Sequence, residues 1–131
     1  MTNRTIWVID DDVIYKTIMK KIIKKAAIFD MPITFTNGKE ALDALIKTVT
    51  NKEQVPEIIL LDIEMPILDG WGFMVEIEKL KSKLEKFPKI YISSSSIAVE
   101  DKAKAKNNPD ILGYMSKPIS LEDLLLIAST E

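Results

Sequence analysis

The chain has 131 residues, of which 47% are hydrophobic and 29% are charged, and its formal net charge is -2. This size and composition are typical of one globular domain, and so mild a charge gives no reason to expect nucleic acid or a membrane surface as a partner. The chain contains no cysteine and no histidine, which excludes disulfides, thiolate chemistry, zinc–histidine sites and histidine-based catalysis and leaves carboxylate chemistry.

The predicted elements alternate between strands and helices along the whole chain. Short, uninterrupted apolar runs are typical of buried parallel strands, and apolar residues at three- and four-residue spacing indicate helices. In chain order we predict strand 5–9, helix 13–27, strand 33–36, helix 39–49, strand 57–63, helix 72–84, strand 89–92, helix 99–106, strand 111–115 and helix 121–128.

Five successive strand–helix units predict an α/β fold with helices on both faces of a parallel sheet. The expected fold is the flavodoxin-like doubly wound (βα)5 three-layer sandwich with strand order 2-1-3-4-5. We expect a single domain spanning residues 1–131, with no output domain.

The apolar spacing also predicts which helix faces are buried. In the first helix the apolar stripe comprises Val13, Ile14, Ile18, Ile22 and Ala26, and the lysines at 16, 20, 21, 24 and 25 form a solvated face. In the second helix the inward positions are Ala41, Leu42, Leu45, Ile46 and Val49. In the third helix the apolar positions are Phe73, Val75, Ile77 and Leu80.

Acidic side chains follow two of the predicted strands at the point where each strand ends. Three aspartates, Asp10 to Asp12, come directly after the first strand, and Asp62 and Glu64 follow the third. These strands are neighbours in the order 2-1-3-4-5, and ligands bind at the carboxyl ends of such strands. Carboxylates crowded there repel by roughly 4 kcal/mol per pair at about 4 Å, so we expect a cation among them. With Lys117 after the fifth strand, the set predicts a hard-metal and phosphoryl site.

The segments at these strand ends resemble the receiver domain of response regulators (the CheY-like superfamily), and the resemblance covers nearly the whole chain. Four motifs occur in the family's order along the chain. They are an acidic pair, an aspartate followed by Met-Pro and Asp-Gly, a strand ending in hydroxyl residues, and a Lys-Pro pair. The motifs are Val8-Ile9-Asp10-Asp11-Asp12, Leu61-Asp62-Ile63-Glu64-Met65-Pro66-Ile67-Leu68-Asp69-Gly70 and Gly113-Tyr114-Met115-Ser116-Lys117-Pro118.

The resemblance implies a role for each polar residue at this edge of the sheet. Asp62 would accept a phosphoryl group from a partner's phosphohistidine and become an acyl phosphate, and Lys117 would pair with that group. Asp10, Asp11 and the backbone carbonyl of Glu64 would hold Mg²⁺ together with Asp62, since this ion prefers oxygen ligands.

Four consecutive serines, 93–96, compete for the hydroxyl that binds the phosphoryl group in the family. Counting from the proline before the fourth strand favours Ser93, whereas counting back from the acid of the fourth helix and from the lysine favours Ser94. We choose Ser94, which also continues the strand by one apolar-layer residue. A serine in place of the family's threonine keeps the function, because either residue supplies the hydroxyl donor.

Some neighbouring residues have a family role and others a structural one. Tyr114 resembles the aromatic residue that switches together with Ser94, and Lys117-Pro118 resembles the family's cis peptide. Asp12 stands where a helix N-cap belongs, Asp69-Gly70 is expected to make a turn, and Trp7 is expected in the core.

The resemblance implies a cytoplasmic, single-domain response regulator of a two-component phosphorelay, with no enzyme activity beyond self-catalysed phosphotransfer and autodephosphorylation. The expected partners are a sensor histidine kinase or a histidine phosphotransfer protein and an unidentified downstream protein. Neither nucleic acid nor membrane is expected, and the chain is expected to be a monomer or weak dimer. Two alternatives remain: a degenerate receiver that acts as a binding module, and a Mg²⁺-dependent phosphohydrolase with an aspartyl nucleophile, in which Glu64 has the spacing of a general acid.

Overall fold

The computed structural model describes residues 4–95 and 98–129, and the predicted alternation of strands and helices is confirmed there. Most predicted boundaries differ from the observed ones by one or two residues. The largest differences are at the third helix, which begins two residues earlier than predicted and already ends at Lys79. A separate 3-10 turn, Lys81–Lys83, follows it. The elements are β1 (Ile6–Ile9), α1 (Val13–Ala26), β2 (Ile33–Phe35), α2 (Gly38–Thr50), β3 (Ile58–Leu61), α3 (Gly70–Lys79), β4 (Lys89–Ser94), α4 (Val99–Asn107), β5 (Ile111–Ser116) and α5 (Leu121–Ser129).

The five strands form one parallel sheet with the predicted order β2-β1-β3-β4-β5. The flavodoxin-like α/β fold is therefore confirmed. The carboxyl ends of β1 and β3 are aligned, because Ile9 pairs with Leu61, and the next pairing places Ile92 beside Leu61.

Each face of the sheet is covered by its own hydrophobic cluster. The first cluster joins one face to α2, α3 and α4, and it includes Trp7, as predicted. The second cluster joins the other face to α1 and α5. Among residues 4–95 and 98–129, no helix has both the length and the apolar character that a membrane span requires.

The predicted apolar stripe of α1 is wrong at Val13, Ile14 and Ile18, whereas Ile22 and Ala26 are partly buried and pack against the second hydrophobic cluster. Val13, Ile14 and Ile18 are 69%, 73% and 41% exposed, while the buried residues are Tyr15, Lys16, Met19 and Ile23. Two adjacent stripes of this helix contain apolar residues, so the periodicity alone favoured the wrong one. The stripe with Tyr15, Met19 and Ile23 packs in the second hydrophobic cluster, against residues of the sheet and α5. Lys16 belongs to this buried face: its ammonium donates to Thr36 Oγ1 at 3.0 Å.

One predicted inward position of α2 is also wrong, since Ile46 is 42% exposed. Val75, one of the apolar positions of α3, is 58% exposed. In α3 the buried position beside Phe73 is Met74.

Helix caps fix the loops that surround the sheet's carboxyl edge. Asp12 accepts a hydrogen bond from the Tyr15 N–H, and Asp69 accepts one from the Gly72 N–H, so both are N-caps. The predicted turn at Asp69-Gly70 is thus the start of α3. At Gly70 a side chain would overlap the carbonyl oxygen of Asp62, which explains the glycine at this close approach of α3 to the end of β3.

Candidate functional site

The strand pairing brings the acids that follow β1 and β3 together. The Asp62 N–H donates to the Ile9 carbonyl at 2.9 Å, so the two strand ends stay side by side. Asp10, Asp11 and Asp62 each offer a carboxylate oxygen, and these oxygens lie within 4.8 Å of one another. Asp10 and Asp62 are buried, at 1% and 6% exposure, whereas Asp11 is exposed. The structure therefore brings these three acids together at the carboxyl edge of the sheet, as predicted.

Lys117 is positioned at the same edge by β4. The backbone N–H of Lys117 donates to the backbone carbonyl of Ser94 at 3.0 Å, and the peptide bond between Lys117 and Pro118 is cis. The Lys117 Nζ lies 2.5 Å from Asp10 Oδ2 and 3.4 Å from Asp62 Oδ1, and the side chain is only 15% exposed. One lysine therefore contacts two buried carboxylates.

Burial dominates the electrostatics of this group. The pKa of the Asp62 carboxyl is raised to about 6, mostly by burial and then by the charge of Asp10, while Lys117 partly offsets both effects. Burial likewise raises the pKa of Asp10, and the neighbouring Lys117 ammonium only partly offsets this effect. For Lys117, burial alone would lower the ammonium pKa, but its contacts with Asp10 and Asp62 outweigh burial and raise it. The single charge of Lys117 therefore does not offset the burial of the two carboxylates, while the lysine itself stays protonated.

An open cleft, here called the acid cleft, lies above these residues. Polar side chains from the ends of β1, β3, β4 and β5 line it. Its lining comprises Asp11, Asp12, Asp62, Glu64, Met65, Asp69, Ser94, Ser95 and Lys117.

The donor set fits a hard divalent cation. It offers carboxylate oxygens from three residues and no nitrogen or sulfur ligand, since the chain lacks histidine and cysteine. Asp10 Oδ2 is buried without a hydrogen bond of good geometry, and its close neighbour is the Lys117 ammonium. A cation between these acids would offset the charge of Asp10, which adds to the effect of burial in raising the pKa of Asp62.

The serines at the end of β4 lie in different surroundings. Ser94 lines the acid cleft, and so does the exposed Ser95. Ser93 is instead buried on the α1 side, where its Oγ is 2.6 Å from the Tyr15 hydroxyl. Ser96 lies outside the described residues. This arrangement agrees with the choice of Ser94, whose contact with a phosphoryl group remains a prediction.

Tyr114, the predicted switch residue, is half-buried on β5. It is paired with Ile92 of β4 and packs against the first hydrophobic cluster. Its movement remains a prediction.

The sequence reasoning missed Tyr15. The ring of this residue lies beneath Lys117, with its centroid 4.7 Å from Nζ. Its position could have been found only from the correct buried face of α1, which places Tyr15 against the end of the sheet. Asp12 and Asp69, predicted as structural residues, also line the acid cleft.

Comparison with known proteins agrees with this geometry. Residues 6–129 match the family described as "Response regulator receiver domain". The chain therefore belongs to the response regulator receiver family.

Curated relatives contain similar segments within longer proteins. The chain is 32% identical over 119 residues to the sensor histidine kinase CheAY of Helicobacter pylori, covering 91% of this chain and 14% of that protein. It is 26% identical over 127 residues to the DNA-binding transcriptional regulator NtrC of Escherichia coli, covering 97% of this chain and 24% of NtrC. The chain thus spans well under half the length of both relatives.

Solved structures agree over their full length. A two-component response regulator from Cytophaga hutchinsonii superposes with a TM-score of 0.83 at 26% identity, covering 98% of this chain and 96% of that one. The chemotaxis protein CheY4 of Vibrio cholerae gives a TM-score of 0.75 at 23% identity, covering 97% of each chain, and supports the fold.

Proposed function

We propose that this receiver domain is a phosphoacceptor switch in which Asp62 takes a phosphoryl group from a phosphohistidine of a partner protein. A carboxylate oxygen of Asp62 forms the new O–P bond, the N–P bond of the phosphohistidine breaks, and the imidazole leaves with the bond's electron pair. The product is an acyl phosphate. The observation that carries this proposal is the placement of Lys117 Nζ between the buried carboxylates of Asp10 and Asp62.

The residues of the acid cleft have complementary tasks in this reaction. Lys117 is placed to pair with the phosphoryl oxygens, and the Ser94 hydroxyl would donate to the same group. Mg²⁺, held by Asp10, Asp11, Asp62 and the backbone carbonyl of Glu64, would neutralise charge on those oxygens during transfer. Most of the catalysis would then be positioning and charge stabilisation. The proposed activity is limited to self-catalysed phosphotransfer and autodephosphorylation, because the phosphoryl group is accepted by the protein itself.

Phosphorylation would be signalled by a conformational change of the receiver surface that a downstream protein binds. In the proposed switch, Ser94 follows the phosphoryl group and Tyr114 moves with it, which shifts the equilibrium between two conformations of α4, β5 and α5. Both residues lie on neighbouring strands at the same edge of the sheet. The phosphoryl donor would be a sensor histidine kinase or a histidine phosphotransfer protein, and a downstream protein would bind the switched surface.

Intact-mass spectrometry after incubation with acetyl phosphate and MgCl2 tests the proposal. We expect the wild-type protein to gain one phosphate, about 80 Da, and only with Mg²⁺ present. Asp62→Asn should gain nothing. Asp69→Asn is the matched control, because it also replaces an acid of the cleft by its amide, and asparagine still caps α3. It should be phosphorylated.

The alternatives give different results in the same experiment. A phosphohydrolase would release inorganic phosphate over many turnovers while no phosphorylated protein accumulates. A binding module would show neither the mass gain nor Mg²⁺-dependent binding of beryllofluoride, read by the fluorescence of Trp71. Either outcome would contradict the proposal.

A further inference from the structure

The ammonium of Lys117 is surrounded by two carboxylates and one aromatic ring. Carboxylates of Asp10 and Asp62 lie on two sides, and the ring of Tyr15 lies on a third. The centroid-to-Nζ distance of 4.7 Å is within the range of a cation–π interaction. Tyr15 is only 5% exposed and Lys117 is 15% exposed, so water screens this attraction less than it would at the surface.

The Tyr15 ring is itself held in place. Its hydroxyl is 2.6 Å from the Ser93 Oγ, and Ser93 is 1% exposed. Two buried hydroxyl groups thus satisfy each other, which favours one orientation of the ring. Tyr15 therefore joins α1 to β4 and to the segment that carries Lys117.

We infer that Tyr15 is a positioning residue for Lys117: its ring confines the ammonium to the acid cleft, and Ser93 holds the ring. This inference rests on the proposed function, because it concerns the lysine that would pair with the phosphoryl group. Without the ring, the Lys117 ammonium keeps its ion pair with Asp10 but loses the cation–π contact that restricts it to the side facing Asp62. Its ammonium then spends less time where the phosphoryl oxygens must bind.

The position of Lys117 can be measured without metal or phosphoryl donor. In protein labelled with ¹³C-lysine, the ε-methylene protons of Lys117 should resonate upfield because they lie over an aromatic ring. Tyr15→Phe keeps the ring and should keep this shift, whereas Tyr15→Leu should abolish it. Lys117→Arg assigns the signal.

The matched control is Tyr91→Leu. Tyr91 is a buried tyrosine, 7% exposed, of the same hydrophobic cluster as Tyr15. It lies on β4, and its replacement removes a similar ring from the core. If Tyr15 acted only through packing, both leucine variants would affect the protein alike. We expect Tyr91→Leu to lower stability while leaving the Lys117 signal and the phosphorylation rate unchanged.

The rate of phosphorylation by acetyl phosphate with MgCl2 gives the second measurement. Tyr15→Leu should slow it about tenfold, which corresponds to about 1.4 kcal/mol and is the size expected for a desolvated cation–π contact. Tyr15→Phe should stay within about twofold of wild type, because the ring still faces the ammonium. Ser93→Ala combined with Tyr15→Phe should add little to either change alone, because both remove the same hydrogen bond.

The two proposals fail in different ways. If the wild-type protein is not phosphorylated, the proposed function is contradicted, while the NMR measurement still tests the contact between Tyr15 and Lys117. If Tyr15→Leu keeps the upfield signal, or is phosphorylated at the wild-type rate, the positioning role is overturned. Should Tyr15→Leu fail to fold in thermal unfolding, Tyr15→Met replaces it, since methionine is flexible and fills a buried gap without an aromatic ring.

Discussion

Asp62 is the residue at which function and stability oppose each other. It is buried beside Asp10, and its pKa is raised to about 6, whereas an aspartate in the unfolded chain titrates near its ordinary value of about 4. Between these two pH values the native state holds a proton that the unfolded state has lost. The free energy of unfolding therefore falls as the pH rises through this window, and the penalty is fully present above pH 6.

Replacing this carboxylate by an amide should therefore stabilise the protein free of metal. We expect Asp62→Asn to raise the free energy of unfolding at pH 7.5 by about 1–3 kcal/mol. The gain should shrink as the pH falls from 6 to 4 and vanish below 4, where the wild-type aspartate is protonated in both states. Urea unfolding of both proteins in EDTA across this range measures it. A variant that is equally or less stable at pH 7.5 would contradict the burial argument.

The polar residues at the strand ends could be predicted because topology alone brings them together. Asp10, Asp62 and Lys117 need only the strand order and the position of each strand's last residue. Choosing between Ser93 and Ser94 by counting was less secure. Alternation along β4 gives a physical reason, since Ser93 continues the face of Tyr91, which packs towards α1.

At the scale of elements, α1 shows what periodicity does not determine. The helix and its N-cap at Asp12 were predicted, yet its rotation about its own axis was not, because two neighbouring stripes contain apolar residues. The buried stripe is decided by how side chains fit the sheet and α5, which is tertiary information. As a consequence Lys16 was assigned to the solvated face, although its stem is buried and its ammonium donates to Thr36.

Alanine substitutions on α1 test this rotation. Lys16→Ala should lower the free energy of unfolding by about 1–2 kcal/mol, because it removes a buried aliphatic stem and a hydrogen bond. Lys20→Ala should change it by less than about 0.5 kcal/mol, because Lys20 is exposed. Both substitutions have the same effect on helix propensity, so the comparison isolates burial. Equal effects in thermal or urea unfolding would argue for the rotation first predicted from the apolar spacing.

At the scale of the whole molecule, the parallel sheet with helices on both faces was predictable from five alternating units. Apolar strands such as β1 and β3, buried along their full length, give the same pattern in sequence and structure. The boundaries shifted mainly where helices begin with caps or end in a tighter turn, as α3 does at Lys79. Those ends depend on local hydrogen bonds that the apolar pattern does not contain.

A metal held by the native acids should stabilise the entire fold, because the unfolded chain has no such site. At Mg²⁺ concentrations ten times the dissociation constant, the gain should be about 1.4 kcal/mol. Asp11→Asn should lose most of it, since Asp11 belongs to the cluster of three carboxylates but is exposed and makes little contribution to the core. Urea unfolding in a series of MgCl2 concentrations measures this gain. If both proteins respond equally, the ion binds elsewhere.

The most direct test of the phosphoacceptor role is to locate the phosphoryl group on the chain. Borohydride reduces an acyl phosphate to an alcohol, so an aspartyl phosphate is converted to homoserine, and peptide fragmentation then identifies the residue. After treatment with acetyl phosphate and Mg²⁺, we predict homoserine at position 62 and intact acids at Glu64 and Asp69, which line the same cleft. Homoserine at one of those two positions, or at none, would contradict the assignment of Asp62.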